Sequence, residues 1–151
     1  MKIFHAIVLA VGACILVPSA SAQFRKSDDA IKYRQSVMFT MGNHFYSRVG
    51  AMANGRAPFD PRAAVENTEL IAALSRLPWV AFQPGTDGGN SDAKPAVWTE
   101  QAKFKDLGEK MQVEVIKLVA AAKTGDLENL KTAYRASANA CKACHDAFTN
   151  Q

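Results

Sequence analysis

The chain has 151 residues, is 48% hydrophobic, and carries 18 basic against 14 acidic residues, for a formal net charge of +4. A surplus this small and this scattered argues against a nucleic-acid partner, because gripping a phosphate backbone takes a concentrated basic face. The length suits one domain with a proper apolar core, and no internal repeat or low-complexity tract suggests another architecture.

The first segment is a leader. Met1-Lys2 gives a positive start, Ile3 to Val17 is almost unbroken apolar sequence, and Ala20-Ser-Ala22 forms an A-x-A cleavage site before Gln23. That order predicts a cleaved signal peptide over residues 1–22. The apolar run is shorter than the ~20 residues that span a bilayer, so no membrane anchor is expected. Residues 23–151 would be the exported domain. Cleavage removes Cys14 and leaves Cys141 and Cys144 as the only cysteines.

The exported part shows helical periodicity four times and no strong strand alternation. A first helix is expected from Ser27-Asp-Asp29, whose side chains can cap free amides, to Asn54-Gly55. Its stripe is Ile31, Arg34, Met38, Met41, Phe45, Val49 and Met52. A second helix is expected from Pro61 to Arg76, with Val65, Leu70, Ile71, Leu74 and Leu77 on its apolar side. The crossover from Gln83 to Pro95 is too rich in Gly, Pro and Asp for regular structure, and Trp79 and Phe82 should pin its start to the core. A third helix is expected from Thr99 to Thr124, with Phe104, Leu107, Met111, Val115, Leu118 and Ala122 as its seam. The fourth follows at once, with Leu127, Leu130, Tyr134, Ser137, Cys141, Cys144 and Phe148 spaced alternately by three and four. Four such helices predict an all-α fold, an antiparallel up-down-up-down four-helix bundle.

Both cysteines therefore lie on the core stripe of the last helix. At about 100° per residue, Cys144 and His145 flank Cys141 within one sector, expected to face the interior. Cys141-Lys-Ala-Cys144-His145 has the C-x-x-C-H form that attaches a c-type haem through two thioethers, with the imidazole on the iron. Three other readings exist. A thioredoxin-like pair wants a helix N-terminus, where the dipole favours thiolate, and this pair lies near a C-terminus. Zinc needs four converging ligands, and only His44 remains as a fourth. Plain core cysteines leave the histidine unexplained. Arg34 interrupts an apolar stripe with a charge, which calls for an anionic partner such as a haem propionate, or for snorkelling to solvent. His44 reads as a solvated helix-side residue.

Placed at the C-terminus, this motif resembles that of cytochrome c′, a class II c-type cytochrome. Lys32-Tyr-Arg-Gln-Ser36, Leu77-Pro-Trp79, Phe82 and Pro84-Gly85-Thr86 add to the resemblance. The resemblance implies one haem c held by Cys141 and Cys144, His145 as axial iron ligand, Arg34 and Gln35 by the haem edge, and Met38 over the iron. It further implies a periplasmic protein, not an enzyme, that binds nitric oxide and carbon monoxide at five-coordinate iron. Electron transfer with an unidentified redox partner is the other implied role. Homodimers through the first two helices are expected, with Phe39, Tyr46 and Val49 near the outer flank. If Met38 ligates the iron instead, the protein would be a low-spin carrier of the cytochrome c-556 type. A haem-free metal or redox module is the remaining alternative. Thr149 stands where many relatives carry a basic residue, and the loop Asp87–Ala96 matches the family poorly.

Overall fold

The computed structural model describes residues 23–150; the expected leader, 1–22, lies outside the described residues. Helix α1 (Ser27–Gly42) starts after Lys26 with Asp28 and Asp29 in its first turn. These acids favour the positive end of the helix dipole. The expected side-chain cap is not made. The helix continues unbroken through a π-helical stretch, Asn43–Val49, into α2 (Gly50–Ala53). Each π turn takes in extra residues and rotates the face the helix presents. Upstream the buried set is Ala30, Ile31, Arg34 and Val37; downstream it is Phe45, Val49, Met52 and Ala53. Val49, expected on the outer flank, is fully buried. Gly55 ends the rod at φ 70°, while Arg56 and Ala57 donate backbone N–H groups to Ala51 O at 2.8 and 3.1 Å. A left-handed residue just past a helix suits glycine, which has no Cβ to clash.

Helix α3 (Pro61–Leu74) has Pro61 in its first turn and Asp60 as cap, whose Oδ1 accepts from Arg62 and Ala63 N–H at 2.9 and 3.1 Å. Its buried face differs from the expected one. Ala64, Thr68, Ile71 and Ser75 point inward, while Leu70 and Leu77 are 40% and 43% exposed. Small side chains let the helices approach closely, and the two hydroxyls are satisfied locally, Thr68 donating to Val65 O and Ser75 to Ala72 O. Volume at the contact outweighed hydrophobicity here. His44 is half-buried rather than solvated and ties the π stretch to α3, with Nδ1 2.7 Å from Asn67 Oδ1. The Asn67 amide is itself held by its donation to Ala63 O at 2.7 Å.

After a 3-10 turn (Pro78–Ala81), the crossover runs irregularly to a short α4 (Ala96–Thr99) and then α5 (Gln101–Lys123). Helix α6 (Leu127–Phe148) follows after Gly125 at φ 69°, capped by Asp126 Oδ1 accepting from Asn129 N–H at 2.9 Å. Contacts fix the directions. Lys123 meets Glu69 and Gln112 donates to Ser75 O, so α5 runs antiparallel to α3. Tyr134 packs on Gly50, while Cys141 and His145 share a wall with Met38, so α6 is antiparallel to the first rod. The result is the expected four-helix bundle, with its core along Phe45, Val49, Ile71, Met111, Val115, Leu118 and Leu130.

Candidate functional site

The seam of α6 carries the motif to its place. Leu130, Tyr134, Ser137 and Phe148 are buried, and between them Cys141 and Cys144 are half-buried free thiols. One helical turn holds their backbones rigidly, and closing so small a loop with a disulfide gains little entropy. Cys141 packs against the core cluster. Burial, and then the neighbouring Cys144, pushes the Cys141 thiol up from 9.0 to about 11, and burial raises Cys144 as well. Thiolate chemistry at neutral pH is correspondingly disfavoured. His145 is exposed rather than turned to the interior, yet it lines the same cleft as the two thiols.

That cleft is the meeting point of the first and last helices. It holds about 870 Å³ of empty space, counting its open mouth, and Arg34, Gln35, Met38, Cys141, Cys144 and His145 all line it. Residues more than 100 positions apart in sequence are thereby brought together, with thiols and imidazole on α6 and Met38 on α1. The intervening walls are apolar and largely aromatic. Phe104 packs edge-on to Phe148, Phe82 and Trp79 at centroid distances of 5.1, 4.9 and 5.5 Å. Trp79 itself lies on Gly108, where an added Cβ would come 2.7 Å from the indole.

Arg34 is 3% exposed, so it does not snorkel. Its Nη1 donates to Ala81 O and Thr86 Oγ1 at 2.9 and 2.8 Å, and its Nη2 to Thr86 O and Ser91 Oγ, both at 2.7 Å. The guanidinium also lies over the Phe82 ring at 4.6 Å and near Trp98 at 5.5 Å. Burial lowers its pKa and Asp87 opposes that shift. Four of the five guanidinium N–H groups are thus spent on the chain itself. Gln35 Nε2 donates to Asn90 O at 2.6 Å. Both residues line the cleft while fastening the crossover loop to its rim.

The loop residues that sequence reasoning left unassigned therefore belong to the site. Ser91, Asp92 and Ala93 line the cleft, and the loop then pairs with the C-terminus. Lys94 N–H donates to Phe148 O and Asn150 N–H to Asp92 O, each at 2.9 Å, around a bridge between Ala93 and Thr149. Lys94 Nζ donates to Asp146 O at 2.9 Å, next to His145. Met111, Gly108 and Val97 also line the cleft. The third-helix seam named Met111, but nothing in local sequence pairs a glycine on α5 with a tryptophan 29 positions earlier.

The donor set fits a flat, largely apolar group anchored by two thiols and one imidazole. It fits a metal ion poorly: among the described residues no three His, Cys, Asp or Glu side chains converge as a metal site. Comparison with known proteins points the same way. The profile of the family described as Cytochrome C′ matches residues 29–149. Cytochrome c′ of Rubrivivax gelatinosus is 52% identical over 127 residues, covering 83% of this chain and 98% of that protein. The crystal structure of the R. gelatinosus protein superposes with a TM-score of 0.80 at 51% identity, covering 85% of this chain and all of that one. Cytochrome c prime of Alcaligenes xylosoxidans, whose variants include nitric oxide and carbon monoxide complexes, is also similar. The nitric oxide complex has a TM-score of 0.80 at 43% identity, covering 85% of this chain and 99% of that one.

Proposed function

The chain belongs to the cytochrome c′ family, and from that premise we propose that it is a periplasmic haem protein that binds nitric oxide and carbon monoxide and exchanges electrons with a redox partner. The family cofactor is one covalently attached haem c per chain. When bound, that group supplies an iron centre able to take a diatomic gas or one electron. The protein is a gas-binding haem carrier rather than an enzyme of the usual kind.

The convergence of Cys141, Cys144 and His145 with Met38 in one aromatic-walled cleft carries this reading. Cys141 and Cys144 would hold the haem through two thioethers, and His145 would ligate its iron. Met38, half-buried on the facing helix, would cover the cleft there and exclude water, leaving room only for a small apolar ligand. Arg34 and Gln35 would hold Ala81–Ser91 against the cofactor edge. That clamp fixes the loop on the rim of the cleft. Phe39, 77% exposed, and Tyr46, 49% exposed, leave apolar surface on the first rod for a homodimer contact.

Visible spectroscopy of protein from a host with a cytochrome c maturation system tests the reading. The expected product is red, keeps its haem through acid-acetone extraction, shows high-spin spectra, and shifts its Soret band under carbon monoxide. A colourless product would defeat the haem assignment. Ligation of the iron by the Met38 sulfur is the competing reading, since this flexible thioether lines the cleft. A low-spin spectrum that turns high-spin in Met38→Ala would establish it and overturn the open-site proposal.

A further inference from the structure

The last turn of α6 carries His145, and that turn is closed largely from another part of the chain. A helix leaves its final four carbonyls without partners of its own. Here His145 O accepts from Thr149 N–H at 2.9 Å, and two more are met by a single residue of the crossover loop. Lys94 donates its backbone N–H to Phe148 O and its Nζ to Asp146 O, each at 2.9 Å, from about 50 positions away in sequence. Its ammonium thereby sits at the negative end of the helix dipole, where a cation is favoured. Thr149 is extended at φ −126° and ψ 152°, so the chain leaves the helix immediately after the capped turn.

The loop that delivers this cap is itself anchored on both sides of Lys94. Before it, Arg34 Nη2 holds Ser91 Oγ at 2.7 Å and Gln35 Nε2 holds Asn90 O at 2.6 Å. After it, Val97 is buried in the cleft wall. Asn150 N–H donates to Asp92 O at 2.9 Å around the Ala93–Thr149 bridge. Lys94 therefore acts from a fixed frame, and fraying at the end of α6 is resisted from outside the helix. The Asp146 carboxylate is engaged separately, by Lys142 Nζ at 2.8 and 2.6 Å on the helix surface. Two lysines thus meet the residue after His145, one capping its backbone and the other pairing with its side chain.

We infer that Lys94 is a positioning residue for the axial imidazole: it caps the last turn of α6 from the crossover loop and so fixes where His145 stands at the cleft. The inference rests on the reading of His145 as the iron ligand. Three variants test it in the haem-loaded protein. Lys94→Met removes the ammonium but keeps the backbone N–H, and Lys94→Arg restores a charged donor. Lys142→Met removes a positive charge at the same aspartate without touching the cap. Resonance Raman spectra of the ferrous protein read the iron–imidazole stretch, and amide hydrogen exchange reads the end of α6. Lys94→Met should broaden and shift the stretching band and speed exchange at Thr149 and Asn150 about fivefold, as expected for loss of one hydrogen bond. Lys94→Arg should recover both signals, and Lys142→Met should leave both as in the parent protein. A stretching band unchanged in Lys94→Met, or one shifted equally by Lys142→Met, overturns the inference. A colourless parent protein would instead sink the haem assignment, while amide exchange in the same variants still reads the cap.

Discussion

Arg34 shows how one side chain can serve both a site and a fold. A buried guanidinium left unpaired would be costly, and here loop carbonyls and hydroxyls supply its partners. Arg34→Met would strip donors from Ala81 O and Thr86 O, which are held within the structure. The expected loss is about 3 kcal/mol in urea unfolding of the holoprotein, a charge-assisted network being at stake. Faster amide exchange confined to the crossover loop would distinguish loss of the clamp from general loosening. The thiols give a second prediction at this scale. With its pKa near 11 instead of 9.0, Cys141 in the haem-free chain should be alkylated at pH 8 about a hundredfold more slowly than a free thiol. The sign follows from burial, which penalises the thiolate. The rate should therefore climb tenfold per pH unit up to about 11. A rate equal to that of a free thiol would show that Cys141 is not held in the core.

At the scale of elements, three glycines sort the helix contacts. Gly50 of α2 faces α6 so closely that an added Cβ would lie 2.5 Å from Tyr134 Oη and 3.1 Å from Phe45 O. Gly50→Ala should therefore destabilise by about 1–3 kcal/mol, because neither a stacked tyrosine nor a backbone carbonyl can retreat far. Gly42 meets nothing nearer than 4.0 Å. Gly42→Ala should stabilise by up to about 1 kcal/mol, the ordinary gain of alanine over glycine inside a helix. Thermal unfolding of the two variants should move in opposite directions. Gly108→Ala would push on Trp79, 2.7 Å from the new Cβ. Its effect should appear in the visible spectrum as well as in stability, since Trp79 and Gly108 both wall the cleft. The π stretch between α1 and α2 matters for the same contacts. It rotates Phe45 and Val49 into the core beyond Met38 and Met41, which remain free to line the cleft.

For the whole molecule, cohesion comes from packing rather than from charge. The helix-surface ion pairs, Lys123–Glu69 and Lys142–Asp146 among them, each have at least one member more than half exposed. Such pairs contribute little and are screened by salt. Raising sodium chloride from low to ~0.5 M should thus change unfolding free energy by less than about 1 kcal/mol in total. The aromatic chain from Trp98 through Phe82 and Phe104 to Phe148 instead links crossover, α5 and α6 around the cleft. That placement makes the bundle's stability depend on what fills the cleft. Chains unable to attach haem, such as the Cys141→Ser, Cys144→Ser double variant, should unfold at lower denaturant than the holoprotein, because a ligand of the folded state alone adds to its stability.

What the sequence determined by itself is local. The four helical stretches, their proline and glycine punctuation and the seam carrying Cys141 and Cys144 depend on residues within one or two turns of each other. Those signals survive without knowledge of the fold, and the motif Cys141-Lys-Ala-Cys144-His145 is of that kind. Tertiary structure decided the rest. The inward face of α3 went to Ala64, Thr68, Ile71 and Ser75 over Leu70 and Leu77 because helix spacing, not hydrophobicity, set the limit. The partners of Arg34 lie 47 to 57 positions away. The cleft that gathers Met38 with Cys141, Cys144 and His145 exists only where the first and last helices meet. Each of these depends on how volumes fill the space between distant segments, and that is a property of the packed bundle which no window of sequence contains.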